Sequence, residues 1–233
     1  MDELISDLRA DTIRANLAEV RDVLATAVAA GGRDVAEVEV LAATKYVSVA
    51  DLPVLAEAGI RLVGENRAQD LQTKAAAHGE LFTWDFIGRL QSRKVRAIVA
   101  HVRLIHSVAS ESALRELARH LAQARPGLEV LIEVNVAREP GKAGVAPEEI
   151  DALIERSPVP VAGLMTMPPY AENPEESRRW FAALRSLADA RGLARLSMGT
   201  SQDYRVAVEE GATIVRIGTR LYDQQSRSTL PDG

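Results

Sequence analysis

Eight short apolar segments, separated by segments of helical periodicity, limit the fold of this chain more than any other feature. The apolar segments lie near residues 38–44, 61–63, 83–87, 104–107, 129–135, 160–165, 195–198 and 213–217. The helical patterns between them cover roughly residues 48–58, 66–78, 91–100, 110–124, 147–157, 174–191 and 202–210. The apolar segments are continuous rather than alternating, which is typical of parallel strands that are covered on both faces.

Eight strands that alternate with helices in 233 residues predict a single (β/α)8 TIM barrel. A doubly wound open sheet is the alternative fold. It more often has about five or six strands and a glycine-rich turn after the first strand. Here the segment ATKYVS stands where that turn would be, so the barrel is favoured.

A long amphipathic helix is predicted ahead of the barrel. Apolar residues from Leu4 to Val28 recur at three-, four- and five-residue steps, and Gly31-Gly32 closes the pattern. No linker rich in proline, glycine or serine divides the chain. We therefore expect one domain over residues 1–225, with a helix at 1–32 packed outside the barrel, and a disordered tail at 226–233.

Composition disfavours several classes of function. The net charge is −5 and the two signs are interspersed, which argues against a surface for nucleic acid or anionic membrane. The chain has no cysteine and its four histidines share no ligand-like spacing, so we expect no metal site. No apolar run approaches the ~20 residues that span a bilayer, and the acidic N-terminus is unlike a signal peptide. These features predict a cytoplasmic protein.

Polar residues follow predicted strands one, seven and eight, at the end of the barrel where this fold places its chemistry. Lys45 ends strand one, Gly199-Thr200-Ser201 ends strand seven, and RIGT at 216–219 ends strand eight. The loops after strands seven and eight often form a phosphate site, and the N-terminus of a helix predicted near Gln202 would add free N–H groups. Because strands one and eight are neighbours in a closed barrel, the lysine would lie beside this site.

Each of these residues has a simpler role when it is considered alone. Lys45 alone is more often a surface lysine whose stem covers apolar surface. Ser201 and Asn66 are common helix caps, and Gly218 is a common turn glycine. Together, however, a lysine, a phosphate site and Arg216 suit a cofactor that is a phosphorylated aldehyde.

Seven motifs, in order along nearly the whole chain, resemble the YggS/PROSC family of pyridoxal phosphate homeostasis proteins. They are LAATK (41–45), GEN (64–66), WDFIGRLQSRK (84–94), VLIEVNVAREPGKAGV (130–145), GLMTM (163–167), LSMGTSQD (196–203) and VRIGT (215–219). No single motif is specific, but the ordered set is. The resemblance implies a barrel like the N-terminal domain of alanine racemase, without the second domain of that enzyme.

The resemblance also implies roles for nine residues. Lys45 would form a Schiff base with pyridoxal 5′-phosphate (PLP). Ser201, Gly218 and Thr219 would hold the phosphate, and Arg216 would face the pyridine nitrogen. Asn66, Ser197, Met198 and Gly199 would line the cofactor. An arginine at the pyridine nitrogen leaves the ring a weak electron sink, which implies little or no amino-acid turnover.

Three functions are compatible with the sequence. The resemblance favours an intracellular carrier or buffer of PLP, with apo PLP-dependent enzymes as recipients. A PLP-dependent racemase-like enzyme is the alternative, and a Schiff-base barrel that acts on sugar phosphates is a third possibility. Because the domain that builds the racemase dimer is missing, a monomer is expected.

The chain departs from the family pattern at four positions. Asp85 stands where the family usually has histidine, Arg93 where it has asparagine, and Thr200 where it has methionine. Asp223 replaces the glycine that usually follows strand eight. None of the four coincides with Lys45 or with the expected phosphate contacts.

Overall fold

A closed barrel of eight parallel strands forms the centre of the computed structural model, which describes residues 4–223. The strands are β1 (Glu39–Ala43), β2 (Leu62–Glu65), β3 (Thr83–Phe86), β4 (Leu104–Val108), β5 (Glu129–Glu133), β6 (Val161–Met165), β7 (Arg195–Thr200) and β8 (Ile214–Ile217). Each strand pairs in parallel with the next, and β8 pairs with β1. The predicted (β/α)8 TIM barrel is confirmed. The predicted tail at 226–233 lies outside the described residues.

Helices surround the barrel within residues 4–223. They are α1 (Ala10–Ala30), α2 (Leu52–Glu57), α3 (Ala68–His78), α4 (Val95–Ile98), α5 (Glu111–His120), α6 (Ile150–Arg156), α7 (Arg178–Asp189), α8 (Tyr204–Glu209) and α9 (Thr219–Tyr222). Helix α9 was not predicted from the sequence, because four residues are too few to show a helical period. None of these helices is both long and apolar enough to cross a membrane.

The predicted N-terminal helix lies outside the barrel, where α1 packs against α8 and α9. The side-chain amide of Asn16 donates hydrogen bonds to the carbonyl oxygens of Leu221 (3.1 Å) and Asp223 (2.9 Å). This buried asparagine ties the helix to the chain that follows β8. Helix α1 therefore supports the segment after strand eight, which carries part of the candidate site.

The start of this helix was predicted too early. Leu4 and Leu8 precede α1, and Leu4 is 56% exposed. Asp7 has a positive φ of 58°, and Arg9 is extended, so a helical backbone cannot continue through them. The apolar period thus extends past the residues that are helical.

Several other helices also begin later than predicted. Short 3-10 turns at Ser92–Lys94, Pro147–Glu149 and Pro174–Ser177 occupy the predicted first turns of α4, α6 and α7. Asn66 does not have the simpler role of a helix cap, because Arg67 occupies the N-cap position of α3. Asn66 is therefore left on the loop after β2.

The apolar core has two parts. The larger part lies between the strands and the surrounding helices. A smaller cluster inside the barrel comprises Leu41, Leu104, Leu131, Met165 and Ile214. Buried polar side chains share the barrel interior with this cluster, and they lead to the candidate site.

Candidate functional site

A cavity of about 470 Å³ lies at the carboxyl ends of the strands. This volume is typical of sites for small molecules. The cavity is lined by the predicted site residues Lys45, Asn66, Ser201, Arg216, Gly218 and Thr219, and also by Tyr46, Arg89, Glu133, Met165, Met167 and Tyr222. The structure therefore brings six of the nine predicted residues together.

The other three predicted residues lie behind the cavity wall. Ser197 and Met198 are fully buried, with Ser197 hydrogen-bonded inside the barrel and Met198 in the larger core. Gly199 has a positive φ of 90°, and an added Cβ would lie 2.6 Å from the Cβ of Ala207. Only glycine allows the strand to turn so close to α8 at this point.

Lys45 follows β1 and reaches the cavity as an exposed side chain. Its ammonium nitrogen lies 4.3 Å from the centroid of the Tyr46 ring, a cation–π contact. No carboxylate lies within ion-pair distance of Lys45 among residues 4–223. The amine is thus accessible to a ligand.

A buried ion pair fixes the backbone next to Lys45. The ammonium of Lys74 donates hydrogen bonds to Glu65 Oε1 (2.5 Å) and to the carbonyl oxygen of Thr44 (2.8 Å). The same Glu65 oxygen accepts from the Thr44 hydroxyl (2.8 Å), and Glu65 Oε2 accepts from the backbone N–H of Asn66 (3.1 Å). The signal for this cluster in the sequence is a glutamate at the end of an apolar strand.

Backbone N–H groups after β8 form the candidate anion site. The hydroxyl oxygen of Ser201 accepts hydrogen bonds from the N–H groups of Gly218 (3.1 Å) and Arg220 (3.4 Å). These donors therefore point toward the cavity wall where Ser201 and Thr219 lie. A Cβ at Gly218 would meet nothing closer than the Cβ of Ala43 at 3.7 Å, so the space beside these donors is open.

The loop after β7 differs from the prediction. Helix α8 begins at Tyr204 rather than near Gln202, and Ser201 does not cap it. The carboxylate of Asp203 accepts hydrogen bonds from the backbone N–H (2.8 Å) and the hydroxyl (3.1 Å) of Thr200. The N–H groups that converge on Ser201 consequently come from the chain after β8, not from α8.

Arg216 forms part of the cavity floor and is only 6% exposed. One terminal nitrogen donates to the carbonyl oxygen (2.8 Å) and hydroxyl oxygen (2.5 Å) of Ser197. The other donates to the carbonyl oxygen of Thr166 (2.9 Å) and contacts Met167 Sδ (2.8 Å). Burial lowers the pKa of Arg216 to about 10, so the guanidinium stays charged at neutral pH.

A chain of buried hydrogen bonds continues from Arg216 into the barrel. The Ser197 hydroxyl lies 2.8 Å from His106 Nδ1, and His106 Nε2 lies 3.1 Å from an oxygen of Asp85. Asp85 also accepts from Arg103, which pairs with Glu39 at the opposite end of the barrel. With Nε2 donating to Asp85, Nδ1 is left as the acceptor for Ser197. Asp85, one of the departures from the family pattern, is therefore a partner of His106.

The buried network predicts a dependence of stability on pH. Burial lowers the pKa of His106 below its ordinary value, although Asp85 opposes this effect. On acidification, the His106 imidazole is therefore protonated in the unfolded chain before it is protonated in the folded chain. We expect the free energy of unfolding to fall as the pH drops below about 6.5. Urea unfolding at three pH values gives the free energy of unfolding of the protein and of His106→Gln. The change of this free energy with pH should be smaller for the variant. Equal slopes would exclude His106 as the source.

Neither a metal cluster nor a larger groove elsewhere in residues 4–223 includes Lys45 or the donors after β8. Among these residues, no three His, Asp or Glu side chains cluster in a way that could hold a metal ion. A larger groove of about 630 Å³ lies between α1 and the barrel, lined by residues such as Leu17, Leu24 and Val38. The smaller cavity is lined instead by Lys45, Ser201, Gly218 and Thr219.

Comparison with known proteins defines the class of the chain. Residues 8–225 match the family described as alanine racemase, N-terminal domain. The chain therefore has the barrel of that class, with a lysine at the end of β1.

The chain belongs to the family of pyridoxal phosphate homeostasis proteins. It is 42% identical to the member from Aquifex aeolicus, over 80% of this chain and 87% of the relative. It is 40% identical to the member from Pseudomonas aeruginosa, over 91% and 95% of the two chains. The resemblance inferred from the sequence motifs is confirmed.

Solved structures show the same relationship. PipY of Synechococcus elongatus, whose structure has PLP bound, is 31% identical, with a TM-score of 0.75 over 91% of this chain and all of that one. D-threonine aldolase from Filomicrobium marinum has a TM-score of 0.67 at 15% identity, which is a likeness of fold alone. The match to PipY is one of both sequence and fold.

Proposed function

We propose that this chain binds PLP in the cavity, attaches it covalently through Lys45, and acts as a carrier or buffer in PLP homeostasis. One observation carries the proposal: an amine with no ion pair within residues 4–223, a fixed guanidinium and the N–H donor of Gly218 line the same cavity. The relatives are named pyridoxal phosphate homeostasis proteins, and PipY is described with PLP bound.

The groups in the cavity fit the polar parts of PLP. Ser201, Thr219 and the N–H groups near Gly218 are donors suited to a phosphate. Because Gly218 has no Cβ and the space there is open, an anion can approach the backbone closely. Lys45 suits the aldehyde, and Arg216 is a donor suited to an unprotonated ring nitrogen.

The residues of the chain determine what the cavity can do. When bound, PLP supplies an aldehyde that condenses with a primary amine and a ring that can withdraw electrons. Lys45 supplies the amine, and the Glu65–Lys74 cluster holds the backbone before it. Arg216 is oriented by Ser197 and can only donate, so it disfavours protonation of an acceptor that faces it. A site of this kind holds the cofactor and is poor at amino-acid turnover.

The exposure of Lys45 bears on how a bound cofactor could be passed on. Lys45 is exposed at the cavity mouth, so a cofactor held there can be reached from outside the barrel. We propose apo PLP-dependent enzymes as recipients, a monomer as the working form, and the cytoplasm as the location.

Exchange of the α-hydrogen of alanine separates a carrier from a racemase-like enzyme. The PLP-loaded protein is incubated with L- or D-alanine in deuterated water, and deuterium at the α-carbon is followed by NMR. We expect no exchange beyond that of the Lys45→Ala variant supplied with the same PLP. Rapid exchange that requires Lys45 would contradict the carrier function and support a racemase-like enzyme.

A further inference from the structure

Glu133 is a buried carboxyl group in the cavity that the proposed function does not use. It is the last residue of β5 and is 6% exposed. Its side chain lines the same cavity as Lys45 and Arg216. Its Oε2 atom is buried and has no hydrogen-bond partner within residues 4–223. An unpaired buried acceptor is costly, so this oxygen is a strong site for a donor that a ligand brings.

Glu133 and Lys45 lie on opposite walls of the cavity. The strands follow one another around the closed barrel in sequence order, so β5 lies four strands from β1 in either direction. The groups proposed to hold the aldehyde, the phosphate and the ring nitrogen of PLP are on or after β1, β7 and β8. Glu133 therefore lies across the cavity from them.

Three cations surround Glu133, but none pairs with it. Arg216, Arg89 and Lys142 all act on its carboxyl group electrostatically. Arg216 donates instead to Ser197 and to a backbone carbonyl, and Lys142 pairs with Glu139 at 3.3 Å. Burial outweighs these cations and raises the pKa of Glu133. Within the described part of the chain, the carboxyl group therefore has no partner of its own in the cavity.

We propose that Glu133 forms a binding site for a primary amine on the cavity wall opposite Lys45. An ammonium group has three donors and no acceptor, and its bonds to a carboxylate are charge-assisted. It therefore suits an isolated buried carboxyl better than a neutral donor does. An amine bound there faces the cofactor held at Lys45 and is placed to compete for it, a consequence that rests on the proposed function.

The amine can belong to a free amino acid or to a lysine side chain of another protein. Arg89 distinguishes the two sources, because it lines the cavity, is exposed and has no ion pair within residues 4–223. It can bind the carboxylate of an amino acid, which a lysine side chain does not have near its amine. Arg93 is a matched control, since it is exposed on the same basic segment but does not line the cavity.

Calorimetric titration of the cofactor-free protein at about pH 8 tests the proposal. n-Propylamine should bind and n-propanol should not. Glu133→Gln should weaken n-propylamine binding at least about ten-fold, because a charge-assisted hydrogen bond is lost. Arg93→Gln should bind as the unaltered protein does. No binding of n-propylamine to the unaltered protein, or equal binding to Glu133→Gln, would overturn the proposal.

L-alanine identifies the source of the amine. If the site serves amino acids, L-alanine binds more tightly than n-propylamine, and Arg89→Gln removes that difference. Glu133→Gln should weaken both ligands whichever source applies. Equal binding of L-alanine by Glu133→Gln and the unaltered protein would count against the proposal.

A separate measurement keeps this inference distinct from the proposed function. PLP uptake by Glu133→Gln is followed by absorbance, with Arg93→Gln, which lies outside the cavity, as the variant that should match the unaltered protein. If PLP uptake falls while amine binding is unchanged, Glu133 contacts the cofactor and the amine site is wrong. If the unaltered protein takes up no PLP at all, the proposed function fails, whereas amine binding still tests Glu133.

Circular dichroism shows whether Glu133→Gln folds. If it does not, Glu133→Asp, which keeps the charge, replaces it and should retain n-propylamine binding. Loss of binding in Glu133→Asp would overturn the proposal.

Discussion

Replacing Glu65 by leucine is expected to lower the free energy of unfolding by about 3–5 kcal/mol, because the substitution leaves a buried ammonium without its carboxylate. Lys74 and Glu65 are both buried, and their charged atoms lie 2.5 Å apart. After the change, the carbonyl oxygen of Thr44 is the acceptor that Lys74 retains. The backbone next to Lys45 should loosen as well, so PLP uptake should weaken. Urea unfolding and absorbance measure the two effects.

The double variant Glu65→Leu with Lys74→Met is the decisive control. It replaces both charges by apolar groups and should recover most of the lost stability, since no unpaired charge remains. The exposed pair between Arg185 and Asp189 offers a comparison. Asp189→Asn should leave the unfolding midpoint nearly unchanged, because exposed pairs contribute little. A double variant that is no more stable than Glu65→Leu would contradict this account of the cluster.

Gly88→Ala is expected to have the second large effect, a loss of about 3 kcal/mol in the free energy of unfolding from overpacking. A Cβ at this position would overlap the backbone carbonyl of Asn66, which cannot move aside as a side chain can. The carbonyl oxygen of Gly88 also accepts a hydrogen bond from the buried hydroxyl of Ser107. The change should therefore displace two loops of the cavity. The midpoint temperature of thermal unfolding and the affinity for PLP should both be lower than in the unaltered protein.

Gly79→Ala is the matched control for Gly88→Ala. A Cβ at Gly79 would meet no atom within 4 Å, and its backbone is helical with φ of −58°. Alanine should be tolerated there or should slightly raise stability, because it restricts the unfolded chain. Similar losses for the two substitutions would show that the close contact between Gly88 and Asn66 is not the cause.

The sequence was sufficient to predict the barrel and to predict that Lys45, Arg216 and Gly218 share one cavity. Continuous apolar strands can be recognised from the sequence without knowing which strands pair with them. Closure of the barrel then makes β1 and β8 neighbours. For that reason the sequence alone predicts that Lys45, Arg216 and Gly218 lie close together.

The features that were missed depend on tertiary contacts. Helix α9 is too short to show a period, so the N–H groups that it turns toward Ser201 could not be predicted from the sequence. Asp85 and His106 are far apart in sequence, and their pairing follows only from the barrel register. One signal was available for Glu133, since an acidic residue within an apolar strand must face a cavity or a partner.

Borohydride reduction of the PLP-loaded protein, followed by intact mass and peptide mapping, tests the central claim most directly. The account predicts that one cofactor becomes permanently attached, and that the label is on the peptide containing Lys45. Lys45→Ala, treated in the same way, should carry no label at an equal ratio of PLP to protein. A label on other lysines with Lys45 unmodified, or no label at all, would contradict the account.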